Sequence, residues 1–222
     1  MPEIDYGASW VPDDDQERDW DDAAELAAAW VQREAERLNV EPLLVTPTQA
    51  QWDAGSQVIS QFVRRYAATT PRSSRVGVRP ASVLAYVPDY ETIHLAMRHA
   101  RGGSLAVVES VATPLRGWAV EAKALDLSQG TISPDDRSEH LREALESIQR
   151  VGNNGWTNGF GKDAAVRVLQ ELHSRGDLDP DLVLGYVLAR GQHAKAVERL
   201  AKIIEGVRNP GGPRRGTSSR AW

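Results

Sequence analysis

Between about residues 40 and 130, short apolar runs alternate with amphipathic stretches, and this order leaves few folds open. Leu43-Leu44-Val45-Thr46, Ser82-Val83-Leu84-Ala85-Tyr86-Val87 and Leu105-Ala106-Val107-Val108-Glu109 read as strands. Each is an unbroken run rather than an alternating one, as expected of strands covered on both faces. The stretches after them have helical spacing. One runs from about Gln49 to Tyr66 with Trp52, Ile59 and Phe62 inward, one from Pro88-Asp89 to about His99, and one from Pro114 to about Leu125 with Trp118 in its stripe. Such alternation with short connections predicts a parallel sheet with right-handed crossovers.

The expected fold class is therefore α/β: a small parallel three-layer sheet that resembles doubly wound (Rossmann-like) proteins in element order. A further strand at Leu125–Leu127 or Val76–Val78 would complete the sheet. A helix from about Asp21 to Leu38 forms an N-terminal extension. Beyond Gly130 the pattern is helical throughout. Ser133 and Pro134 open a helix to about Arg150. Three more follow, at about Lys162–Ser174, Pro180–Arg190 and His193–Val207. The expected organisation is a disordered acidic head (1–20), an α/β domain with its N-terminal helix (21–130), a helical subdomain (131–207) and a disordered basic tail (208–222).

Charge is unevenly distributed. The 222 residues carry a net charge of −5. Residues 1–41 hold thirteen acids against three bases, whereas Ala189–Trp222 holds eight bases against two acids. That polarity points to a protein or DNA partner, or to a homo-oligomer in which acidic head meets basic tail. With no Cys, disulfides, thiol catalysis and zinc–cysteine sites are excluded. No run approaches ~18 apolar residues, so no membrane span is expected. The acidic N-terminus lacks the apolar core of a secretory signal, and the expected location is cytoplasmic.

Three functional readings follow. In the first, the last two helices bind DNA as a helix-turn-helix. Gly191 marks the turn, Val197 and Leu200 pack the second helix, and Lys195, Arg199 and Lys202 face phosphates. The other reading of the same residues is a plain helical hairpin. Trp156 and Phe160, in the Gly/Asn-rich loop 152–161, would add aromatic contacts to a partner. The string GFGKD at 159–163 puts a Gly-rich turn at a helix start, which suits an anion.

In the second, a pocket lies at the carboxyl ends of the strands, where open parallel sheets bind ligands. Its candidates are Thr46, Thr48, Asp89, Tyr90, Glu109 and Ser110. Helix capping is the competing role for Thr48 and Asp89. No GxGxxG or GxxxxGK(S/T) string follows a strand, so no nucleotide cofactor is implied, nor any other cofactor. The third is similar to a PD-(D/E)xK nuclease, with Asp89, Glu121 and Lys123; it requires Glu121 and Lys123 on one face of a strand. The five histidines show no metal-ligand spacing, and no metal is expected. The leading expectation is a non-catalytic binding or regulatory protein engaging a macromolecular partner. An enzyme or small-molecule binder is the alternative, and the metal-dependent nuclease the weaker one.

Overall fold

The computed structural model describes residues 4–210 except 16, 54–55, 74–76 and 78. It is an α/β protein. Its strands are β1 (Gly7–Val11), β2 (Glu41–Val45), β3 (Ala67–Thr69), β4 (Ala81–Tyr86), β5 (Ser104–Val108), β6 (Leu125–Asp126) and β7 (Thr131–Ile132). They form one seven-stranded sheet in the order β3-β2-β4-β5-β1-β6-β7, parallel except for the β6–β7 pair.

Two departures from the sequence reading reshape this sheet. Residues 7–11, expected in a disordered head, form a central strand in register with β5, Gly7 opposite Ser104 and Val11 opposite Val108. The segment GASWV is poor in β-formers, and pairing on both sides supplies what local propensity lacks. Successive residues of β1 serve opposite faces: Trp10 joins one buried cluster and Val11 the other. The second departure is β3, a strand directly after the stretch expected to be helical over Gln49–Tyr66. The anticipated extra strand at Leu125 exists as β6, and Val76–Val78 falls partly outside the described residues.

Helices cover both faces. α1 (Trp20–Leu38) and α2 (Gln57–Arg65) pack one face through Ala24, Ala27, Val31, Ile59 and Phe62 against Leu44, Leu84 and Ala106. α3 (Tyr90–Ala100) and α4 (Arg116–Glu121) cover the other, where Ile93, Ala96 and Trp118 meet Val83, Leu105 and Val107. The single long helix expected over Gln49–Tyr66 is two pieces, a 3-10 turn at Gln49–Trp52 and then α2. Ser56 starts α2 by accepting from the Ile59 amide at 3.2 Å.

The remaining helices are α5 (Glu139–Val151), α6 (Gly159–Arg175), α7 (Pro180–Ala189) and α8 (Ala194–Arg208). α5 starts later than expected, because Ser138 caps it; Ser133 instead donates to the Ala124 carbonyl at 3.0 Å. In α7 every residue from Leu182 to Ala189 is buried, and the helix lies between α4, α5 and α8. One continuous buried cluster thereby runs from Leu105 in the sheet through Val183 in α7 to Leu200 in α8. No helix among the described residues is long and apolar enough to cross a membrane.

Candidate functional site

The connections leaving β1 and β5 set the site. These strands are neighbours, yet β1 leads into α1 on one face and β5 into α4 on the other. Their loops part, and a cleft opens between the carboxyl ends, where parallel sheets hold ligands. The cleft has a volume of about 510 Å³. Trp10, Pro12, Val111, Pro114, Val120 and Pro134 supply apolar wall; Asp13, Asp14, Glu109, Asp126, Asp181 and Arg116 supply charge.

Glu109 braces the mouth. It is 8 % exposed, and its carboxylate accepts from the Asp13 amide at 3.0 Å and from the Leu115 amide. Asp13 returns the bond, accepting from the Val111 amide at 2.7 Å. The two loops are thus laced together by two carboxylates. Burial raises the Glu109 pKa, against the lowering effect of the Leu115 and Asp13 amides; the nearby charges of Asp13 and Asp181 raise it further.

Asp181 follows Pro180 at the start of α7, where Asp179 caps the helix by accepting from the Asp181 and Leu182 amides. Among the described residues the Asp181 carboxylate accepts no hydrogen bond and joins no ion pair. Burial raises its pKa, then the neighbouring Asp179 does, with Arg116 and Arg208 opposing. Arg116 reaches Asp136 at 3.1 Å and Asp179 at 3.4 Å. The Trp10 indole N–H is buried and has no acceptor among the described residues. Asp126 is occupied in its own turn, accepting from the Ser128 amide at 2.8 Å and the Gln129 amide at 3.1 Å.

Of the residues expected to line a strand-end pocket, only Glu109 does. Thr46 is buried and accepts from Trp52 Nε1 at 2.8 Å. Thr48 and Asp89 take the capping role: the Thr48 amide donates to Gln51 Oε1 at 3.2 Å, and Asp89 accepts from the Thr92 amide at 2.8 Å. Ser110 accepts from the Ala112 amide at 3.3 Å within its own loop. The Tyr90 hydroxyl is pushed up to about 12, by burial first and then by Asp181 and Glu198. Asp13 and Asp181 also line the cleft, outside the residues expected from the sequence. A signal for Asp13 exists: Trp10-Val11-Pro12-Asp13 repeats the pattern of Tyr86-Val87-Pro88-Asp89, and both follow parallel strands at the same end of the sheet.

The other two readings fare differently. The strand that the nuclease pattern requires is not there. Glu121 ends α4, Lys123 turns in left-handed backbone at φ 50°, and Glu121 is paired with Arg137 and Arg190. Among the described residues, no group of three or more His, Asp or Glu is arranged to hold a metal ion. In the partner loop, Trp156 is 1 % exposed and belongs to the core, so it offers no contact surface; Phe160 is 77 % exposed. Gly152 makes room for the Trp156 ring, since a Cβ there would stand 2.8 Å from its Cε2. Arg199 is only partly exposed and donates from Nε to the Gly155 carbonyl at 2.8 Å, which ties α8 to that loop. Lys195 and Lys202 remain exposed. No ion pair among the described residues joins the acidic head to α8, and the basic tail beyond 210 lies outside the described residues. Compared with family models, curated proteins and solved structures, the chain shows no match.

Proposed function

We propose that this chain is a binding protein whose strand-end cleft takes a small organic cation with an apolar body. The observation that carries the reading is the cleft's position, between two neighbouring strands whose connections leave to opposite faces. Doubly wound sheets, which the element order resembles, hold ligands at such a position, and this supports the reading.

The chemistry of the walls selects the ligand class. Five carboxylates face one guanidinium, and that guanidinium already spans Asp136 and Asp179. Asp13, Glu109 and Asp126 spend acceptor capacity on backbone amides. Asp181 does not, and it is the anchor for an ammonium group. A cation beside Asp181 and Glu109 lowers both carboxyl pKa values, offsetting the burial that raises them.

The test is isothermal titration calorimetry with benzylammonium on the full chain. Saturable binding that weakens about tenfold in Asp181→Asn, with an unchanged circular dichroism spectrum, is the expected result. Absence of binding, or equal affinity in Asp181→Asn, would overturn the reading.

A further inference from the structure

A second cavity, of about 450 Å³, lies on the far helical part of the molecule between α6 and α8. Its charge is opposite to that of the strand-end cleft. Lys162, Arg199 and Lys202 line it, and among the described residues no carboxylate does. The rest of the lining is largely apolar, with Val166 from α6 and Ile203 and Val207 from α8. Helical spacing builds this: Lys162 and Val166 are one turn apart on α6, as are Arg199 and Ile203 on α8, so each helix presents a cation beside an aliphatic.

Trp156 closes one side of the cavity and is almost fully buried. Arg199 spends only its Nε on Gly155, which fixes the guanidinium while leaving its terminal nitrogens available. An arginine held in this way donates to an oxyanion with little further loss of side-chain freedom.

We infer that the α6–α8 cavity is an anion site for an organic phosphate that carries an apolar body. The phosphate is held by Lys162, Lys202 and the Arg199 guanidinium, and its apolar part lies along Val166, Ile203 and Val207. This site is separate from the strand-end cleft in position and in sign, and it stands whether or not the cleft binds a cation.

The experiment is calorimetric titration of the full chain with hexyl phosphate at low salt, alongside inorganic phosphate, hexanol and a DNA duplex. The expected result is saturable binding of hexyl phosphate, stronger than that of inorganic phosphate or hexanol and weakened by added salt. Lys162→Gln with Lys202→Gln reduces affinity about tenfold or more. Both lysines are exposed, so the fold is retained, as circular dichroism will check. Val166→Trp, which fills the apolar half, also weakens hexyl phosphate, and Asp181→Asn leaves it unchanged. The inference is overturned if hexyl phosphate shows no saturable binding, or if the double lysine variant binds it equally. It is likewise overturned if the DNA duplex binds more tightly through the same lysines, which would make the face a nucleic-acid surface.

Discussion

Gly117 in α4 and Gly185 in α7 bring two helices into backbone contact: a Cβ on Gly185 would stand 2.7 Å from the Gly117 Cα. Neither position has space for a methyl group. The crossing seats α7, and with it α5 and α8, against the sheet. Gly185→Ala is expected to cost about 1–3 kcal/mol by overpacking. Thermal unfolding reads this as a fall of several degrees in Tm. Gly117→Ala acts on the same contact, so the two losses will not add. An unchanged Tm in Gly185→Ala would contradict the crossing.

Glu121 is the acid of the most enclosed ion pair among the described residues. Its side chain is 7 % exposed and that of Arg137 is 8 %, with Arg137 Nη1 to Glu121 Oε2 at 2.9 Å. Arg190 pairs with the other oxygen, and both guanidinium groups lie over the Tyr186 ring, at 5.8 and 5.4 Å. Removing the carboxylate leaves Arg190 without an ion pair among the described residues, whereas Arg137 keeps Asp135 at 2.7 Å. Glu121→Gln is expected to destabilise by about 3 kcal/mol, measured by urea unfolding. A loss no larger than that of an exposed pair, about 0–1 kcal/mol, would refute the assignment.

Stability will fall on mild acidification. Burial holds the His99 imidazole below its ordinary 6.5, with Arg98 adding to the effect; His94 is lowered by burial, then by Arg98, His193 and Arg101. The unfolded chain takes up these protons more readily than the folded one. The stabilisation is thus complete above 6.5 and is lost as pH drops through the window below it. Glu109 works the other way: its raised pKa favours the folded state as pH falls through the region just above 4.5. Urea midpoints between pH 7.5 and about 5.5 should decline. His99→Leu, which also removes a buried Nδ1 without a partner, should shrink that decline. An equal decline in the variant would remove His99 as its source.

The two aromatics of the 152–161 loop should separate cleanly. Trp156→Ala opens a cavity in the core and is expected to cost about 3–5 kcal/mol. Phe160→Ala, at an exposed position, is expected to stay within about 0.5 kcal/mol. Chemical unfolding of both variants decides it, and comparable losses would overturn the placement of Trp156.

What could be read in advance follows from where the information resides. β2, β4 and β5 announce themselves because a strand covered on both faces needs an unbroken apolar run, and Leu43–Val45, Ser82–Tyr86 and Leu105–Val108 provide one. α8 and its His193 cap, and the end of α6 at Gly176, are legible for local reasons. β1 was hidden because Gly7, Ala8 and Ser9 have no strand preference of their own; both its partners are distant in sequence. Trp156 was hidden because its burial depends on Gly152 and on left-handed backbone at φ 55°, and periodicity reports neither. The strand-end cleft could be anticipated as a location. Of its lining, Glu109 could be read from the end of β5 and Asp13 from the repeated Val-Pro-Asp pattern, but Asp181 could not, since it arrives on α7 from the helical part of the chain.

The strand that comes first in sequence closes the sheet from within. β5 has β4 on one side and β1 on the other, and Asp13 meets Glu109 across 96 residues of chain. Until β1 inserts, β5 is an open edge of five buried residues, Ser104–Val108, with a row of unpaired backbone groups. Any event that withdraws residues 7–11, whether a stretched N-terminus or a proteolytic cut, converts the middle of the sheet into a template for another chain. Self-association of such a form would arise from this exposed edge and owe nothing to the opposite charges at the chain's two ends.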